Sequence, residues 1–79
     1  MKLRLFHKIG EDGEDSAEVR KVIVERGIAS HFEFSNVMYS AAELQKTTGS
    51  LDTPTLVTSE GAVVRGKDAI LNWIAKKWS

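Results

Sequence analysis

The chain has 79 residues, of which 42% are hydrophobic and 28% are charged, as expected for one small globular domain spanning residues 1–79. Its 11 basic residues balance its 11 acidic residues, so charge gives no basis for binding nucleic acid or an anionic membrane. Because the sequence has no cysteine, no signal-peptide core and no apolar run near the ~20 residues that span a bilayer, we expect a cytoplasmic protein without disulfides, thiolate chemistry or cysteine-bound metal.

The start of the chain predicts a strand, a turn and a helix. The strand is expected over residues 2–7, KLRLFH, where Leu3 and Leu5 share one face. After a turn rich in glycine and acids, the segment SAEVRKVIVER predicts a helix, with Asp15 as its N-cap and Glu18 at capping-box spacing. A glycine follows this helix directly, at the usual position of a left-handed C-terminal cap.

The middle of the chain predicts a second strand and a second helix. In residues 31–37, HFEFSNV, Phe32 and Phe34 lie on one side and polar residues on the other, which indicates a half-buried edge strand. Ser40 is expected to open the helix SAAELQKTTG, with Glu43 at capping-box spacing and the glycine as its end. The leucine of this helix is its clearest core residue.

The remainder predicts a β-hairpin, TPTLVTSEGAVVRG, and an amphipathic third helix, KDAILNWIAKKW. The apolar stripe of that helix comprises Ala69, Ile70, Trp73, Ile74 and Trp78. The element order is therefore β-α-β-α-β-β-α, an α/β fold. The first two strands should be parallel and the hairpin antiparallel, giving a four-stranded mixed sheet with helices on both faces.

This order resembles the glutaredoxin branch of the thioredoxin fold. LFHKIG (residues 5–10) resembles the family's first strand and the lysine after it. DTPTLV (residues 52–57) resembles its proline segment before the third strand, and EGAVVRGKDAI (residues 60–70) its closing hairpin and last-helix start. VERGI and KDAILNWI are also similar to the N-terminal domain of glutathione transferases. The resemblance implies a thioredoxin-like sheet in the order 2-1-3-4.

The chain departs from the family where glutaredoxins place Cys-x-x-Cys. That degenerate active-site turn is here Glu11, Asp12, Gly13 and Glu14. Thiol–disulfide exchange requires a thiolate, so we expect a redox-inactive domain. The acids of the turn, together with Asp15, have three interpretations that stay open: a solvated run that stabilises the helix start, an oxygen site for Ca²⁺ or Mg²⁺ without EF-hand spacing, or a negative surface for a basic partner.

The resemblance also implies a ligand-binding edge. A cis bond before Pro54 would turn the Thr53 backbone outward to pair with an extended peptide, in the family usually the cysteine of glutathione. An ordinary edge proline is the alternative. Lys8 corresponds to the lysine that meets a glutathione carboxylate, although a solvated lysine is the simpler interpretation.

The start of the last helix receives the γ-glutamyl group of glutathione in the family. In this chain those positions are Gly66, Lys67 and Asp68. Asp68 is equally an ordinary N-cap, and we favour that role. Because glutathione is an anion and the neighbouring turn is acidic, we expect its binding to be weak, about millimolar.

Two functional hypotheses follow. The leading one is a peptide- or protein-binding module that uses the Pro54 edge and the acidic turn; the alternative is a weak glutathione-binding or glutathione-dependent activity of transferase or glutaredoxin type. We assign no catalytic residue, no metal and no cofactor beyond weakly bound glutathione, and His7 and His31 stand alone. Lys2 and Arg4 mark a thinly covered face of the first strand, so we expect a monomer or a weak homodimer.

Overall fold

Four strands and three helices make up the computed structural model, which describes residues 2–79. In chain order the elements are β1 (Leu3–His7), α1 (Glu14–Glu25), β2 (Phe32–Asn36), α2 (Val37–Thr48), β3 (Thr55–Val57), β4 (Val63–Arg65) and α3 (Lys67–Lys77), with a 3₁₀ turn at Ala29–His31. Across residues 2–79, no helix combines the length and the apolar character that crossing a bilayer requires.

The strands form one mixed sheet in the order β2-β1-β3-β4. β1 runs parallel to β2, with Leu3 opposite Phe32, and antiparallel to β3, with Phe6 opposite Thr55. β3 and β4 form the antiparallel hairpin. The predicted α/β class and the strand order 2-1-3-4 are therefore confirmed, and β1 lies in the interior of the sheet.

One face of β1 contributes to the larger part of the core. Alternate side chains of a strand point to opposite faces, so Leu3 and Leu5 share this side. Helices α1 and α3 contact each other and contribute most of the remaining core residues. The buried cluster consists of Leu3, Leu5, Val19, Ile23, Ile28, Phe32, Leu56, Ile70 and Ile74.

Helix α2 contacts β1 and β2 and covers the other face of β1. Phe6 and Leu44 are fully buried there. Arg4 donates to Ser35 Oγ at 2.9 Å and to Glu43 Oε1 at 2.7 Å, and its guanidinium lies 4.8 Å from the centroid of the Phe6 ring. The hydrogen bond between Arg4 and Glu43 raises the pKa of Arg4 and lowers the pKa of Glu43. Arg4 is therefore held against α2, whereas Lys2, at the start of the same face, is exposed.

The predicted N-caps of all three helices differ from the observed ones. Helix α1 begins after Gly13, with Asp15 already inside its first turn, and α3 begins after Gly66, with Asp68 as its second residue. Neither helix has a side-chain cap. At Gly13 the reason is steric, because a Cβ there would lie 2.6 Å from the Lys8 carbonyl oxygen, and only glycine permits this close approach.

Helix α2 begins earlier than predicted. Asn36 caps it, its Oδ1 accepting from the Met38 N–H at 2.9 Å. Ser40 lies at a kink inside the helix, where its backbone is non-helical and its hydroxyl donates to the Asn36 carbonyl at 2.9 Å. Glu43 binds Arg4 and does not complete a capping box. The predicted helix end is confirmed, because Gly49 has a left-handed backbone with φ of 80°.

The edge position predicted for the second strand is confirmed, but its two phenylalanines differ in burial. Phe32 is buried, and the ring of Trp78 lies 5.8 Å away. Phe34 is 37% exposed and meets the His7 ring edge-on at 5.8 Å. In α3 the predicted stripe is correct except at Ala69, which is exposed.

If α2 closes the second face of the sheet, Leu44→Ala should be costly. We expect it to lower the free energy of unfolding by about 2–5 kcal/mol, the usual cost of a cavity at a fully buried leucine. Leu51→Ala is the matched control, because Leu51 is 55% exposed and its truncation should change stability by no more than about 0.5 kcal/mol. Urea denaturation measures both; equal effects would show that Leu44 does not pack as described.

Candidate functional site

The predicted site residues meet at one edge of the sheet. β1 and β2 end at this edge because they are parallel, and β3 begins there because it is antiparallel to β1. β4 ends there in turn. We call this the site edge; it comprises Lys8, residues 11–14, Thr53, Pro54 and residues 66–68.

The segment before β3 is joined to the start of α3. The Thr53–Pro54 peptide bond is cis, Pro54 is buried, and the Pro54 carbonyl accepts a hydrogen bond from the Gly66 N–H at 3.0 Å. Thr53 is half-buried, and within residues 2–79 neither its N–H nor its carbonyl has a hydrogen-bond partner. The structure therefore brings Pro54 and Gly66 together, and the Thr53 backbone beside them has no partner within residues 2–79.

Lys67 connects the start of α3 with α1. Its Nζ lies 2.9 Å from Glu18 Oε2 and 3.9 Å from Asp15 Oδ1. The hydrogen bond to Glu18 raises the pKa of Lys67. Asp15 and Glu18, which the sequence placed in a capping box, thus pair with the Lys67 ammonium group. The charge of Lys67 is therefore largely compensated before any ligand binds.

The acidic turn projects from the site edge into solvent. Glu11, Asp12 and Glu14 are exposed, and a hydrogen bond of 3.0 Å from the Gly13 N–H to the Gly10 carbonyl closes the turn. Asp12 has a positive φ of 64°, which aspartate tolerates in turns. In the part of the chain that the structure describes, no three His, Asp or Glu residues form a group that could hold a metal ion.

Two polar residues of α1 that the sequence did not point to hold the end of β1. Ser16 is buried, and its Oγ accepts from the Lys8 N–H at 3.0 Å. Arg20 donates to the Lys8 carbonyl at 3.0 Å and lies 2.9 Å from His7 Nδ1. Ser16 lies three residues before Val19, so the helical periodicity of α1 indicates that it is buried. No pattern in the sequence indicates the role of Arg20.

The contact with Arg20 defines the chemical state of His7. A guanidinium only donates hydrogen bonds, so Nδ1 of His7 is the acceptor and the ring proton lies on Nε2. Burial lowers the pKa of His7, and the nearby charge of Arg20 lowers it further. His7 is therefore a neutral, buried part of the support beneath the site edge.

Large apolar side chains are exposed next to the site edge. The sequence did not predict their exposure. Ile9 is 57% exposed, Met38 74%, Tyr39 84% and Leu51 55%. Ile9 follows β1, Met38 and Tyr39 follow β2, and Leu51 precedes β3, so all four belong to segments at the same edge. We call these four residues the apolar rim.

A shallow depression of about 180 Å³ lies at the opposite edge of the sheet. Its walls include Leu3 at the start of β1, Thr58 after the end of β3, and Trp73 of α3. None of the predicted site residues lines it.

No family model matches the chain, and no curated protein matches it. Function is therefore inferred from the site edge itself.

Gly13 should be intolerant of a side chain. We expect Gly13→Ala to lower the free energy of unfolding by about 1–3 kcal/mol, because the new Cβ would force the Lys8 carbonyl away from Arg20. Glu14→Ala, at the exposed neighbouring position, should cost less than about 1 kcal/mol through the helix dipole. Thermal or urea denaturation separates the two variants; a neutral Gly13→Ala would contradict the close approach.

Stability should depend on pH through His7. The folded protein keeps His7 neutral at a pH where the unfolded chain, with a pKa of about 6.5, already binds a proton. The free energy of unfolding should therefore fall as the pH is lowered from above 6.5 towards the lower pKa of the folded state. Urea denaturation across this range should show a smaller loss for His7→Gln than for the wild type. An unchanged dependence in His7→Gln would contradict this role.

Proposed function

We propose that the chain is a redox-inactive, glutaredoxin-like domain that binds an extended peptide or protein segment at the site edge. The observation that carries the proposal is the half-buried Thr53, whose N–H and carbonyl have no partner within residues 2–79. Backbone groups in such a position normally find a partner, and an incoming extended strand supplies one.

The proposed relationship to glutaredoxins rests on three features taken together. The element order and the sheet order 2-1-3-4 are those that the resemblance implies. The proline segment, the last-helix start and the turn after β1 meet at one edge, as a common ligand site requires. The turn contains EDGE in place of two cysteines, so recognition is the part of the family's activity that this chain can retain.

Glutathione is the less favoured ligand. Lys67, which the resemblance assigns to the γ-glutamyl group, is already bound by Glu18 and lies near Asp15. Lys8 is half-buried and is the remaining lysine at this edge, whereas the exposed acids of the turn repel the anionic tripeptide. We therefore propose that glutathione binds only weakly, about millimolar, and that a peptide without this charge conflict binds better.

An amide-resolved NMR titration tests this function. Three capped, unstructured peptides of equal length serve as probes, each containing leucines and differing in whether the remaining side chains are lysine, glutamate or glutamine; reduced glutathione is titrated separately. We expect at least one peptide to shift the amide resonances of Asp52, Thr53 and Thr55 at concentrations where glutathione has no effect.

The Thr53 backbone can be tested by a matched pair of variants. Thr53→Pro removes the N–H and should weaken peptide binding, whereas Thr53→Ala keeps both backbone groups and should retain it. The amide spectrum of each variant checks that the sheet is intact. Micromolar glutathione affinity, or the absence of amide shifts at Asp52, Thr53 and Thr55 with every peptide, would overturn the proposal.

A further inference from the structure

The apolar rim lies on segments that the sheet places side by side. His7 and Asn36 are opposite each other where β1 and β2 end, so Ile9 and Met38 each lie two residues beyond a paired position. Tyr39 follows Met38, and Leu51 lies on the other side of β1, in the loop before β3. Exposed apolar groups gathered in this way mark interaction surfaces, and Tyr and Met are enriched at the centres of such surfaces.

Acidic residues outnumber basic residues in the segments around the rim, although the chain as a whole is neutral. More than half of its acids belong to the segments that meet at this edge: Glu11, Asp12, Glu14, Asp15, Glu18, Asp52 and Asp68. The cations in or beside these segments are Lys8, Arg20, Lys21, Arg65 and Lys67, of which Lys67 is paired with Glu18. A partner therefore approaches an apolar surface flanked by the exposed carboxylates of the acidic turn.

This combination excludes most classes of occupant. Nucleic acids and anionic lipid surfaces carry the same sign of charge as the edge. A symmetric pair of copies of this chain would place the same acidic patch on both sides of the interface, which like-charge repulsion opposes. A different chain with apolar and basic side chains matches both the rim and the acids.

We infer that the partner at the site edge is an extended segment rich in leucine-like apolar side chains and in lysine or arginine. Its backbone pairs with Thr53, an apolar side chain packs against Tyr39 and Met38, and its basic side chains face Glu11 and Asp12. This inference rests on the proposed function and adds the chemical class of the partner.

The three peptides described above test the inference by their relative affinities. The lysine–leucine peptide should bind about tenfold more tightly than the glutamine–leucine peptide, and the glutamate–leucine peptide should bind more weakly than both. A lysine–serine peptide keeps the charge and lacks the apolar groups. Its affinity should be about tenfold lower than that of the lysine–leucine peptide. Added salt should reduce the advantage of the lysine–leucine peptide.

Matched variants separate the contributions of the rim and of the acids. Tyr39→Ala should lower the affinity for the lysine–leucine peptide about five- to tenfold. Val24 of α1 is also apolar and is 65% exposed, and Val24→Ala should leave this affinity unchanged. The Glu11→Gln, Asp12→Asn double variant should lower the affinity for the lysine–leucine peptide and leave the affinity for the glutamine–leucine peptide unchanged. Glu60→Gln, in the hairpin turn at the opposite edge, is its control.

Equal affinities for the lysine and glutamate peptides, with shifts at Thr53, would overturn the inference and leave the proposed function standing. Absence of shifts at Thr53 with every peptide would overturn both. Shifts at Tyr39 and Met38 that depend on protein concentration, without any peptide, would show that a second copy occupies the rim and would overturn the inference.

Discussion

The attachment of α1 to the end of β1 is the constraint on which the site edge depends. Lys8 is bonded through both backbone groups, its N–H to Ser16 and its carbonyl to Arg20, and Gly13 packs against the same carbonyl. These contacts fix where the chain leaves the sheet and how sharply it turns into α1. The acidic turn is therefore presented on a rigid support, while its own side chains remain in solvent.

The same arrangement is consistent with the proposed binding at the site edge. The acids that bind Lys67 tie the first turns of α1 to the start of α3, and Gly66 binds Pro54 across the sheet. These contacts hold the edge together, while the Thr53 backbone and the carboxylates of the acidic turn have no partner within residues 2–79. Recognition by backbone pairing, supported by an apolar rim and negative charge, needs no thiol and no metal.

Most of the fold could be predicted from the sequence because it follows from local periodicity and glycine positions. The alternation in β2, the apolar stripe of α1 and the glycines at helix ends are local signals, and the element order then limits the sheet to few topologies. The capping predictions at Asp15, Ser40 and Asp68 were wrong because capping preference is worth about 1 kcal/mol and yields to tertiary contacts. The positions of the site segments were predicted, but the ion pairs of Lys67, the support from Arg20 and the exposure of Tyr39 arise from residues far apart in sequence.

The structure of the domain bound to the lysine–leucine peptide tests the central claim most directly. We expect the peptide backbone to form hydrogen bonds with the N–H and carbonyl of Thr53, which have no partner within residues 2–79 of the unbound chain. A peptide seated instead in the depression beside Trp73, or bound at the site edge without touching the Thr53 backbone, would contradict that claim.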